Sequence, residues 1–287
     1  MNDTAILEKP EISTSVGMLI PTVTHEEDGR KKNDEIRYFS TGELRSVPLE
    51  GSAEIMTSAG TFPAELVTFY KSGNLKRIFP LNGRISAYWT EEDEYSLAET
   101  LEIQSPSGEV KTKPIYIQFY ETGELQSVAL WPGETIEIET PAGLINVRKG
   151  ITFHKNGTIA SCEPADEISV KTVIGDIFVY DPDPDGIKAE SSTLAFTDEG
   201  EISCVSTVSN RVIVNKGMSS KAVYSPYIIS SYCGGEYTVV PLKIDLENGK
   251  ISCMNMSGTF KAGNTWSPVN IEMFSHNINL NKKLCSF

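Results

Sequence analysis

The residues with the plainest capacity for chemistry are three carboxylates at alternating positions, Asp181-Pro-Asp183-Pro-Asp185-Gly186. Alternating acids followed by a glycine turn match the first six positions of a calcium loop, because a hard cation gathers six to eight oxygen ligands. Ser192 stands at the twelfth position, where such a loop carries a bidentate glutamate, and two prolines without flanking helices depart from an EF-hand. Calcium held by Asp181, Asp183 and Asp185 is the metal expectation, against a solvated Pro/Asp turn. No other cofactor is expected.

Two aromatic segments could instead make contacts. Tyr88-Trp89-Thr90 runs into Glu91, Glu92, Asp93 and Glu94 and closes on Tyr95. Rings on an exposed loop favour association and acids around them set rate and salt dependence, so Tyr88 and Trp89 are expected to carry affinity and Glu91 to Glu94 to form a polar rim. The competing reading is a charged loop pinned by rings that return to the core. A second segment, with Tyr224, Tyr227, Tyr232, Cys233-Gly234-Gly235 and Tyr237, is rich in tyrosine and poor in charge. That composition suits an interface core or a buried cap, and Tyr227 and Tyr232 are its contact candidates.

Other reactive side chains are sparse. Of three histidines, His25 and His276 have no patterned Asp or Cys nearby, and His154 occupies a column that elsewhere holds Phe39, Tyr70 and Tyr120. It is expected to pack as a ring beside a turn. Five cysteines without a C-x-x-C pair indicate neither a disulfide framework nor a zinc ribbon. Cys204 and Cys253 share a column, where small residues filling a tight position are the simpler expectation.

That column belongs to a repeat. An aromatic pair, two residues, Gly, one residue and Leu or Ile recur at Tyr38-Phe39…Gly42…Leu44, Phe69-Tyr70…Gly73…Leu75, Phe119-Tyr120…Gly123…Leu125, Phe153-His154…Gly157…Ile159 and Phe196-Thr197…Gly200…Ile202, with a degenerate sixth copy at Leu246…Gly249…Ile251. Gly before a β-forming run fits a short hairpin turn that needs positive φ. The position five past each Gly is again apolar (Val47, Ile78, Val128, Cys162, Val205, Met254). On a flat strand it would face away from the apolar residue at Gly+2. Either both faces are covered or the strand bends near the small or polar residue at Gly+4.

A second signature, Ile/Val-x-Thr/Ser-x-x-Gly, ends at Gly60, Gly108, Gly143 and Gly175, with shorter relatives at Gly217 and Gly263. Each unit thus carries two hairpins, and copies without an insertion stand about 32 residues apart. The expected fold is all-β: an elongated repeat array of stacked antiparallel hairpins (meander, β-roll or solenoid-like), of about six units, nearly without helix. Residues 1–35, which end in a mixed charge run, read as an N-terminal tail or cap. Residues 36–255 form the array, with insertions near 83–99, 181–192 and 224–240, and residues 256–287 form a C-terminal β cap. Insertions in such arrays map to exposed loops and often to the working face.

The Phe/Tyr-x-x-Gly-x-Leu unit, clearest in Phe69 to Gly83 and Phe119 to Val128, resembles the MORN-like repeats of bacterial β-hairpin array proteins. The likeness extends over about Ile36 to Met254. The chain departs from the usual unit of just over twenty residues and from the Gly-x-Gly spacing of those repeats. The resemblance implies a scaffold or interaction module and carries over no catalytic residue.

Composition narrows the function classes. Over 287 residues, 25 Lys and Arg face 39 Asp and Glu, a formal net charge of −14 that disfavours nucleic acid and anionic lipid unless a local basic patch is present, and none stands out in the sequence. No run approaches the roughly 18 apolar residues of a membrane span, and the first ten residues lack the regions of a signal peptide. A cytoplasmic protein with reduced thiols is expected. The leading expectation is a non-enzymatic β-repeat scaffold whose insertion loops bind a protein partner or a second copy of the chain. The alternatives are a calcium-dependent binding protein and a glycan hydrolase, the latter needing two carboxylates about 5 to 9 Å apart in an aromatic groove.

Overall fold

The computed structural model describes residues 11–22, 26–27, 29–32, 35–184, 193–215, 220–230, 237–262 and 265–274. Strands take up 61% of it and helix 3%, so the all-β expectation holds, and the main sheet is open rather than closed into a barrel. Two compact units divide the chain, residues 1–165 with 184–201, and residues 166–183 with 202–287.

In the first unit nine strands follow one another across the sheet in chain order: β1 (Arg37–Tyr38), β2 (Leu44–Thr57), β3 (Gly60–Phe69), β4 (Leu75–Phe79), β5 (Pro114–Phe119), β6 (Leu125–Leu130), β7 (Gly143–Phe153), β8 (Ile159–Pro164) and β9 (Leu194–Phe196). Every neighbouring pair is antiparallel. Of the expected arrangements, the meander is the one adopted. In the second unit β10 (Ile202–Thr207), β11 (Leu242–Asp245), β12 (Lys250–Cys253) and β13 (Met256–Thr259) continue the same pattern.

The aromatic-turn-glycine motif closes each hairpin in the same way. Gly42, Gly73, Gly123, Gly157 and Gly200 all have φ between 87° and 101°. In each copy the glycine amide donates to the carbonyl of the second aromatic position, as from Gly123 to Tyr120 at 2.9 Å. This is a type I turn with a left-handed fourth residue, which explains the glycine.

The apparent conflict between Gly+2 and Gly+5 is resolved by a bulge. Phe119 pairs with Leu125 but Gln118 pairs with Ser127, so Gln126 is an extra residue. Arg45, Lys76 and Ala160 are extra at the same place in their copies. The bulge sits at Gly+3, one residue before the expected position, and restores both apolar residues to one face. Across the sheet Val47, Val67, Ile78, Ile117, Val128, Ile151, Cys162 and Leu194 then fall in one row, all buried. The opposite face carries a polar row in the adjacent register, Ser46, Thr68, Arg77, Gln118, Ser127, Thr152 and Ser161.

The Thr/Ser-x-x-Gly signature forms a second kind of turn, in which the hydroxyl donates to the glycine carbonyl and accepts the amide two residues on. Thr57, Ser105, Thr140 and Thr172 do this toward Gly60, Gly108, Gly143 and Gly175. So does Thr14 toward Gly17, within the segment expected to be a tail or cap. Gly217 and Gly263 lie outside the described residues. Within the first unit these turns dock on the aromatic turns: Ser15 Oγ donates to Gly73 O and Ser58 Oγ to Gly123 O, both at 2.8 Å, while Pro106 and Pro141 pack on Gly157 and Gly200.

Candidate functional site

The first insertion is folded rather than extended. Thr90-Glu91-Glu92-Asp93 is a capping box: the Thr90 side chain accepts the Asp93 amide and Asp93 accepts the Thr90 amide. The following six residues form a helix, α1 (Glu91–Ser96). An N-cap threonine with acids in the first turn satisfies the free amides of so short a helix and complements its dipole.

Glu94, on α1, is 2% exposed. It accepts Arg30 Nε and Trp89 Nε1 on Oε2, both at 2.7 Å, and Arg30 Nη2 and the Gly83 amide on Oε1, at 2.5 and 2.7 Å. The other edge of the Arg30 guanidinium donates to Glu65, on β3, at 3.0 and 2.7 Å. Glu65 also receives Lys32 Nζ at 2.8 Å and the Asn82 amide at 2.8 Å. Two carboxylates thus meet two cations, every carboxylate oxygen has a donor, and the buried cluster is electrically neutral. Burial pushes both carboxyls up, but the bonds from Arg30, joined by Lys32 at Glu65 and by Trp89 and Gly83 at Glu94, hold them below their ordinary value. Ionised and fully engaged, neither is arranged as a general acid, which requires a raised pKa.

Arg30 arrives on the strand Arg30–Lys32, which pairs with Gly83–Arg84. Arg30 to Lys32, in the charge run that reads as a tail or cap, therefore fasten the insertion to the sheet. A Cβ on Gly83 would lie 2.0 Å from Glu94 Oε2, so any side chain there would push the Glu94 carboxylate out of its place in the cluster. At the far end of α1 the Tyr95 hydroxyl donates to Glu134 at 2.7 Å, with its ring 6.0 Å from Trp131 and beneath Lys113. Trp89 and Tyr95 both turn inward. Tyr88 is 87% exposed, and Glu91, Glu92 and Asp93 are exposed beside it. Of the four acids expected to form a rim, Glu91, Glu92 and Asp93 are exposed and Glu94 belongs to the buried cluster.

The remaining candidates belong to other segments of the chain. Asp181 is buried and its Oδ1 accepts the Asp183 amide at 3.1 Å, an Asx turn; Asp185 lies outside the described residues. No group of three or more potential metal ligands occurs among the described residues. In the third insertion Tyr227–Ser230 pairs with Tyr237–Val240 and leaves Tyr227 49% exposed, while Tyr232 falls outside the described residues.

His154 does what its column does. Its Nε2 lies 3.0 Å from Phe196 O, as Tyr70 and Tyr120 donate their hydroxyls to Phe119 O and Phe153 O at 2.8 Å. His25 and His276 are outside the described residues. Burial, aided by Glu163, pushes the Cys162 thiol up to about 12, and burial with Asp245 pushes Cys204 up to about 11, so neither is a ready thiolate. Cys204 pairs with Asp245, which pairs with Lys250, so Cys253 lies two strands away and three residues further along, about 10 Å in each direction.

Sheet and site together define a class: an all-β hairpin-meander protein whose first insertion, among the described residues, is helical and fastened to the sheet. Comparison with protein-family models, with curated proteins and with solved structures returned no match. Among the described residues no helix is long and apolar enough to cross a membrane.

Proposed function

We propose that the chain is a non-enzymatic β-repeat scaffold that binds a protein partner through its first insertion, with Tyr88 as the anchoring contact and Glu91, Glu92 and Asp93 around it. One observation carries this reading: Tyr88 is 87% exposed, yet it is flanked by a tryptophan hydrogen-bonded into a buried ion cluster. A ring held in water on a fixed backbone gains by burial and loses little conformational entropy when a partner covers it. The likeness to MORN-like repeats supports the same reading, as does the fixed protonation of the buried carboxylates. Reduced thiols suit a cytoplasmic setting.

A photoreactive benzoylphenylalanine placed at position 88 tests this in the host cell. Covalent adducts of defined mass are expected from position 88 and not from position 144, where Leu144 is also exposed on a hairpin arm. An adduct of twice the chain mass identifies a second copy as the partner. Indistinguishable labelling from both positions overturns the assignment.

A further inference from the structure

The polar row of the first unit gathers cations that are scattered in the sequence. Arg77 shares the row with Thr68 and Gln118, and the bulge residues Arg45 and Lys76 flank it, two strands or about 10 Å apart. Each cation is laid over a ring: Arg45 over Phe39 at 5.9 Å, Lys76 over Tyr70 at 5.2 Å and Arg77 over Tyr116 at 4.8 Å. Arg77 Nε is further fixed by Gln118, which bonds Gln126 at 2.6 Å, and the Tyr70 hydroxyl reaches that same Gln126. Cations stacked this way are oriented before any ligand arrives.

Among the described residues no carboxylate pairs with Arg45, Lys76 or Arg77; Arg37, at the end of the row, is taken by Glu35. The turn acids Glu43 and Glu124 accept the hydroxyls of Thr41 and Thr122 and form no ion pair with these cations among the described residues. Two hydroxyls of the same row, Thr68 Oγ1 and Ser127 Oγ, are buried without a hydrogen-bond partner, and Ser127 is 0% exposed. These hydroxyls are themselves buried, and the accessible part of this face is the cations: Arg45 is exposed and Lys76 and Arg77 are half-buried, a local cluster of positive charge in a chain of net charge −14.

We infer that this face binds an acidic peptide segment, whose carboxylates bridge Arg45, Lys76 and Arg77. The spacing accommodates about three or four extended residues, since alternate side chains of a strand stand about 7 Å apart. A long polyanion such as nucleic acid would meet the surrounding negative field, whereas a short peptide meets only the three cations. This surface is independent of Tyr88.

Fluorescence anisotropy with a labelled hexaglutamate peptide at low salt tests the inference on the full chain. Saturable, salt-sensitive binding is expected, weakened at least about tenfold in K76E/R77E and in the exposed-site variant R45E, and unchanged in Lys111→Glu and Tyr88→Ala. Circular dichroism confirms that each variant is folded. Absence of saturable binding to the wild type, an equal loss in Lys111→Glu, or retention of affinity in a folded R45E overturns the proposal. So does equally tight binding of a hexathymidylate through the same residues, which would make the site a general polyanion patch.

Discussion

At the scale of single residues, the behaviour of the insertion turns on one guanidinium. Arg30→Met removes four hydrogen bonds and leaves Glu65 and Glu94 buried with Lys32 as the sole cation, which is expected to cost about 3 to 5 kcal/mol in urea unfolding. A loss below about 1 kcal/mol would mean that the cluster is open to water. The same pair sets a pH dependence. Both carboxyls are depressed in the folded state, so their contribution is fully present above the ordinary value of 4.5 and is lost as pH falls through the lower folded values. The wild-type melting temperature should therefore fall more steeply below about pH 4.5 than that of Arg30→Met. Trp89→Ala removes a donor from buried Glu94 and should destabilise by about 1 to 3 kcal/mol, whereas Tyr88→Ala should leave stability unchanged. Equal effects of the two would place Trp89 outside the cluster. Little of this was legible in the sequence. Arg30 sits in a run of charges that reads as the end of a tail or cap, and its partners lie 35 and 64 positions away, a distance that no local pattern spans. The capping box Thr90-x-x-Asp93 was a legible sign of helix, masked by the brevity of the six residues that follow.

At the scale of elements, the turns were the most legible feature, because each depends on residues within a few positions of one another. Five aromatic turns adopt the conformation that their glycines require. Ile12-Ser-Thr14-Ser-Val-Gly17 carries the whole second signature, and its hairpin was hidden only by its place before the first aromatic pair. Val205-Ser-Thr207-Val-Ser-Asn210 is a variant with asparagine in place of glycine: Thr207 Oγ1 again accepts the amide two residues on, from Ser209, but it also accepts the Asn210 backbone amide instead of donating to that residue's backbone carbonyl. The bulges were less legible, since an extra residue in a strand shows in the sequence as a broken apolar period and the period alone does not say which residue is extra. Gly123→Val and Gly157→Val test the element directly. Each forces a β-branched residue to positive φ and should lose about 1 to 3 kcal/mol. Gly157→Val should lose the more, because its Cβ would come within 3.0 Å of Pro106, whereas Gly123 has open space around it. Identical losses would show that the stacked Pro106 turn yields freely. Tyr120→Phe isolates the contact between successive copies, and loss of its bond to Phe153 O should cost about 0.5 to 1.5 kcal/mol.

At the scale of the whole molecule, the first unit is held by a row that no single repeat contains. Val47, Val67, Ile78, Ile117, Val128, Ile151, Cys162 and Leu194 come from eight strands and pack side by side, so each copy of the motif completes its burial on its neighbours. Truncating one member, as in Ile117→Ala, should cost about 2 to 5 kcal/mol, because rows fixed by backbone pairing on both sides have little room to collapse around a void. The insertion is held differently, by the ion cluster, a two-residue strand pairing and the Tyr95 contacts to Glu134, Trp131 and Lys113, and its opening is expected to leave the row intact. Native-state hydrogen exchange should separate the two. Amides of Ile78, Ile117, Val128 and Ile151 should exchange only with unfolding of the unit, and those of α1 by a smaller local opening. Arg30→Met should accelerate exchange in α1 strongly while the row slows or quickens only with global stability. Exchange of α1 and the row at one common free energy, in wild type and variant alike, would mean that the insertion is an integral part of the sheet's cooperative unit, and Tyr88 would then be presented by the sheet itself rather than by a separately fastened arm.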